Sequence, residues 1–128
     1  MSKEKTSLEI IDEEHDNLLN IKDDIIKNCQ MRNYTMTGVN ILMFKDSLLK
    51  HFIIEERIMA ETHYPNIDEH IEAHIDLLEK AKELCDINLY NNLDYEKMLD
   101  ILEKLVENHA DSCDADYKKW ITPNTHQQ

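Results

Sequence analysis

An all-α fold, an antiparallel up-down-up-down four-helix bundle, is what this sequence predicts, and three observations predict it. Its 128 residues include only one glycine and two prolines, so long helices with few breaks are favoured over sheets with many turns. Apolar residues recur every three or four positions in four successive stretches. The connections between those stretches are short, and a short loop returns the chain beside the helix it has just left. The length suits a single domain, 1–128, large enough to bury a core.

Each element can be justified in order. Thr6 and Glu9 have the spacing of a capping box and open a first helix over about 7–31, whose inner stripe is Leu8, Ile11, His15, Leu18, Ile25 and Cys29. A polar connection, 32–37, leads to a second helix over 38–63, with Ile41, Phe44, Leu48, His51, Glu55, Ile58 and Thr62 on one face. Pro65 stops it, because proline restricts the residue before it and cannot continue a hydrogen-bonded turn. Asn66 then caps a third helix over 67–86, with Ile67, His70, His74, Leu77, Ala81 and Leu84 inward. After a loop, 87–93, the last helix covers 94–120 with Met98, Leu102, Leu105 and His109 inward. A polar tail, 121–128, follows.

Twenty-seven acidic residues against 14 basic ones give a formal charge of -13, which repels phosphate backbones and anionic membrane surfaces. Nucleic acid and lipid are therefore not expected partners. No apolar stretch approaches the ~18 residues needed to cross a bilayer, and the opening residues are charged rather than signal-like, so a cytoplasmic location is expected. Cys29, Cys85 and Cys113 are odd in number and lack a CxxC pair, which fits free thiols in a reducing compartment and assigns them no metal.

The stripes contain an anomaly. His15, His51, Glu55, His70, His74 and His109 occupy positions where a bundle should place leucine or isoleucine. A buried carboxylate without compensation costs several kcal/mol at least, and the stripes carry no matching inward Lys or Arg. A bound cation is the simplest compensation. Residues four apart rise only ~6 Å along a helix and lie ~40° apart around it, so His51 with Glu55, and His70 with His74, can each reach one centre. Imidazole with carboxylate suits iron, zinc or manganese, and the absence of inward cysteine argues against a thiolate-rich zinc site.

These residues resemble the ligand pattern of the hemerythrin family: one His on the first helix, HxxxE on the second, HxxxH on the third and HxxxxD on the fourth. Here the elements are Asp12-Glu13-Glu14-His15, His51-Phe52-Ile53-Ile54-Glu55-Glu56-Arg57-Ile58-Met59, Tyr64-Pro65 with His70 and His74, and His109 with Asp114 and Tyr117. The resemblance covers nearly the whole chain. It implies two non-haem irons, one held by His70, His74 and His109 and the other by His15 and His51, bridged by Glu55, Asp114 and an oxo or hydroxo group. It further implies an open position on the two-histidine iron, where dioxygen binds reversibly as hydroperoxide, in oxygen storage, transport or sensing.

The resemblance also implies an oxygen pocket lined by Leu18, Phe52, Leu105, Val106 and Ala110. In many oxygen carriers of the family the last three positions hold Trp, Leu and Ile, so a larger or wetter pocket and faster autoxidation are expected here. That keeps open a diiron oxidoreductase acting on peroxide or nitric oxide, and a metal-free helical interaction module remains a third reading. Whether the chain is a monomer or a homo-oligomer is left open. On a regular helix Asp114 lies ~140° from His109, so its role as a ligand requires a local widening such as a π-bulge. Glu56, His63 and His126 are expected to face solvent.

Overall fold

The computed structural model describes residues 6–87, 92–108 and 114–121. These form α1 (Ser7–Gln30), α2 (Tyr34–Glu61), α3 (Ile67–Cys85), α4 (Asn92–Glu103), a π-helical segment (Lys104–Asn108) and α5 (Asp114–Ile121). The fold is all-α, with no strand among the described residues, and none of its helices is long and apolar enough to cross a membrane.

Local chemistry explains where the helices start and stop. The Thr6 side chain accepts from the Glu9 backbone N–H at 3.1 Å while Glu9 accepts from the Thr6 backbone at 3.0 Å, the reciprocal capping box that opens α1. Arg32 and His63 take left-handed backbone conformations, φ 61° and 57°, just beyond the ends of α1 and α2, where this conformation commonly terminates a helix. Asn33 accepts from the Met36 backbone N–H at 3.3 Å and caps α2. The second helix therefore begins at Tyr34, four residues before the expected 38, because one left-handed residue and one cap complete a connection expected to need six residues. Asn66 does stand at the N-cap of α3 but makes no side-chain capping bond.

The fourth stretch departs most from expectation. It begins at Asn92 instead of 94 and does not continue as one regular helix to 120: α4 passes into the π-helical segment Lys104–Asn108, and regular helix is described again from Asp114. A widened turn is thus present, ahead of His109 rather than between His109 and Asp114.

Neighbouring elements pack in order, α1 on α2, α2 on α3, and α3 on α4, with the π-helical segment and α5 returning to α1. The buried apolar residues fall into two clusters. The larger gathers Leu18, Ile25, Phe44, Leu48, Phe52, Leu84, Met98, Leu102 and Leu105 among others. The smaller is Ile11, Ile58, Met59, Tyr64 and Tyr117, with Trp120 against it. On α1 the sequence passes from the small cluster at Ile11, through His15, to the large one at Leu18. On α2 it passes from Leu48 and Phe52, through Glu55, to Ile58 and Met59, and on α3 from Ile67, through His70 and His74, to Ala81. The histidines and Glu55 therefore form one polar layer between two apolar ones. Each fully buried large aliphatic or aromatic side chain on either side contributes about 1.5–3 kcal/mol.

Candidate metal centre

Three helices supply the polar layer. His15 comes from α1, His51 and Glu55 from successive turns of α2, and His70 and His74 from successive turns of α3. Glu55 is completely buried and His51, His70 and His74 are at most 4% exposed, while His15 is half-buried. Their ligand atoms form two overlapping groups, His15 with His51 and Glu55, and Glu55 with His70 and His74, within each of which all atoms lie within 4.8 Å of one another.

Glu55 belongs to both groups and divides its two oxygens between them. Its Oε1 lies 2.7 Å from His70 Nε2 and 2.9 Å from His74 Nε2. Its Oε2 lies 3.2 Å from His51 Nε2, which is in turn 3.1 Å from His15 Nε2. Atoms bound at ~2.0–2.2 Å to a common ion and subtending a right angle lie ~3 Å apart, so these separations are those of neighbours around a metal.

The outer faces of two imidazoles bear on the protonation of the inner ones. His51 Nδ1 donates to Glu14 Oε1 at 2.9 Å, and His74 Nδ1 donates to Glu56 Oε2 at 2.7 Å; carboxylates only accept, so the ring nitrogen must carry the proton. A neutral imidazole has one N–H, which leaves Nε2 of both rings as lone pairs aimed at the oxygens of Glu55. Lone pairs facing a carboxylate at such distances need positive charge between them, either additional ring protons or bound cations. Buried histidines and a glutamate so arranged could hold a metal ion. The chemistry of the donors, imidazole nitrogen and carboxylate oxygen, fits iron, zinc or manganese.

Aromatic rings hold the layer in place. Phe52 stacks on His74, with centroids 3.9 Å apart and planes 9° from parallel. Tyr117 meets the His70 ring at a steep angle with centroids 5.6 Å apart, and its hydroxyl donates to the backbone carbonyl of Glu55 at 3.3 Å. Trp120 Nε1 donates to the carbonyl of Thr62 at 3.0 Å, fastening α5 to the end of α2.

Five of the seven residues expected as ligands, His15, His51, Glu55, His70 and His74, are thus brought together. His109 lies outside the described residues, and Asp114 is the first residue of α5 with its side chain outside them. Of the expected pocket, Leu18, Phe52, Leu105 and Val106 are buried in the large apolar cluster, whereas Ala110 lies outside the described residues. His63 is exposed as expected, and His126 is not described. Glu56 is a correction. It was expected as a solvent-facing charge, but its Oε2 is bound to His74 and its side chain is 32% exposed. Glu14 was assigned no role from sequence. One signal could have found both: each acid sits next to a ligand, Glu14 before His15 and Glu56 after Glu55. A helix neighbour is turned ~100° from that ligand, toward the side where an adjacent helix packs.

Compared with protein-family models, with curated proteins and with solved structures, the chain matches none.

Proposed function

We propose that this chain is a non-haem diiron protein of the hemerythrin type that binds dioxygen reversibly, in storage, transport or sensing. The observation that carries the reading is the division of Glu55, one oxygen toward His70 and His74 and the other toward His51, as a carboxylate shared by two metal ions requires. His109 would complete the histidine set of one ion, Asp114 would supply the second carboxylate and an oxo or hydroxo group the third bridge. Iron is preferred over zinc or manganese on the resemblance of the ligand pattern to hemerythrins.

The antiparallel up-down-up-down four-helix bundle belongs to the same proposal. Its support is the order of the apolar clusters along the chain: α1 and α3 run from the small cluster to the large one and α2 runs the opposite way. The fourth stretch, with Met98 and Leu105 in the large cluster and Tyr117 in the small one, runs as α2 does.

When bound, a pair of ferrous ions supplies the two electrons that hold dioxygen. The protein's part is to orient and to shield. Glu14 and Glu56 fix the protonated nitrogen of two rings, and Phe52, Leu18, Leu105 and Val106 present a dry wall that slows water and proton entry. The acidic surface disfavours nucleic acid and membrane partners, and a cytoplasmic setting agrees with Cys29 and Cys85 as free thiols. The half-burial of His15 favours a second reading, a diiron oxidoreductase that turns over peroxide or nitric oxide, because it gives one side of the layer a route to solvent.

Iron analysis together with the absorption spectrum of the reduced, iron-loaded protein tests the proposal. Two irons per chain, and a visible band that appears with oxygen and disappears on its removal, are expected. A protein that keeps its helices and melting point after chelation and takes up no metal ends it. Multiple turnovers with peroxide, or with nitric oxide and a reductant, would move the conclusion to the second reading.

A further inference from the structure

Two acids outside the expected ligand set touch the rings of the layer from behind, and their placement is regular. Glu14, next to His15 on α1, reaches His51 on α2 at 2.9 Å. Glu56, next to Glu55 on α2, reaches His74 on α3 at 2.7 Å. Each acid therefore sits beside a ligand of its own helix and holds a ligand of the next helix. Each half of the layer contains one such ring: His51 belongs to the group with His15, and His74 to the group with His70. The acids are 23% and 32% exposed, so neither fills core volume as the apolar residues do.

A carboxylate behind an imidazole has two effects. It keeps the proton on Nδ1, so that Nε2 presents its lone pair inward, and its negative charge makes that lone pair a stronger donor. We infer that Glu14 and Glu56 are positioning residues for separate halves of a dinuclear centre, Glu14 tuning the ion at His15 and His51 through His51, and Glu56 tuning the ion at His70 and His74 through His74. The inference rests on the two-metal reading above and deepens it. The two ions are individually adjustable from outside the ligand set, although they share Glu55.

The test measures anaerobic binding of ferrous iron alone to the full chain, comparing wild type with Glu14→Gln, Glu14→Ala, Glu56→Gln and Glu56→Ala. Each alanine variant should weaken one of the two binding events about 10–100-fold and leave the other near wild type. Each glutamine variant, whose amide oxygen still accepts from Nδ1, should lose less. Chelated samples should melt with wild type, which a packing role would not allow. In a His51→Ala background Glu14→Ala should add no further loss, and in a His74→Ala background Glu56→Ala should add none. Wild type that binds two irons while all four acid variants bind them equally well overturns this inference and leaves the diiron reading standing. Equal weakening of both ions by either acid, or independent losses in the histidine backgrounds, also overturns it. Wild type that binds no iron overturns both.

Discussion

The two halves of the polar layer use the same kinds of donor and differ in their surroundings. Glu55, His70 and His74 are buried, with Phe52 stacked on one ring and Tyr64 and Tyr117 angled against the other. The half containing His51 meets His15, which is half-buried on α1, and its supporting acid, Glu14, is 23% exposed. A fully enclosed half is held in shape by its packing, and an ion there should exchange slowly. A half with one partly exposed ring trades that rigidity for access. Identical ligand chemistry can thus be divided by packing alone into a retaining site and a reachable one.

Removing what the halves share should have the largest effect. Glu55→Gln keeps the shape but discards the charge facing three histidines, and iron uptake should fall from two per chain to none at concentrations that saturate wild type. If one ion remains, Glu55 serves only one half. Breaking the halves separately comes next: His15→Ala should keep one tightly held ion, and a chelator should strip wild type in two phases, of which His15→Ala lacks the faster. A single phase in wild type would erase the contrast.

Phe52→Ala removes the ring stacked on His74 and a fully buried side chain, and urea unfolding should show a loss of about 3–5 kcal/mol. Tyr117→Phe deletes only the hydroxyl that donates to the Glu55 carbonyl, and should cost about 0.5–1.5 kcal/mol by the same measurement. The contrast between shielding and access extends to the cysteines. Burial raises the Cys29 thiol above its ordinary value of 9.0, so the folded chain keeps this proton where the unfolded chain has released it. Its contribution to stability is lost as pH rises through 9. At pH 8 a thiol reagent should modify Cys29 more slowly than half-buried Cys85 in the native protein, and at equal rates in denaturant.

Much of the layer was legible because its residues violate a pattern. His15, His51, Glu55, His70 and His74 stand out on apolar stripes, and a stripe is a local property that a single helix reveals. The start of α2 was misplaced because a run of polar residues reads as a loop, whereas Asn33 and a left-handed Arg32 compress the turn and let Tyr34 to Thr37 join the helix. Glu14 and Glu56 escaped because their partners are on other helices, and nothing along one helix separates an acid that holds a ring from one that meets water. The interruption of the fourth stretch escaped because Met98, Leu102 and Leu105 keep regular spacing up to the π-helical segment.

That interruption changes which residues can share a side. Twelve steps separate Leu105 from Tyr117, and at ~100° each they would leave the tyrosine ~120° out of phase on an unbroken α-helix. Both residues are nevertheless buried, at 1% and 0% exposure. One π-turn absorbs an extra residue and takes back ~100°, nearly the whole discrepancy. Chain length across this short span therefore aims everything downstream, as the number of teeth on a gear sets the angle of its shaft. Deleting a single amino acid there would swing Tyr117 away from Glu55 and Trp120 away from Thr62 without altering any side chain.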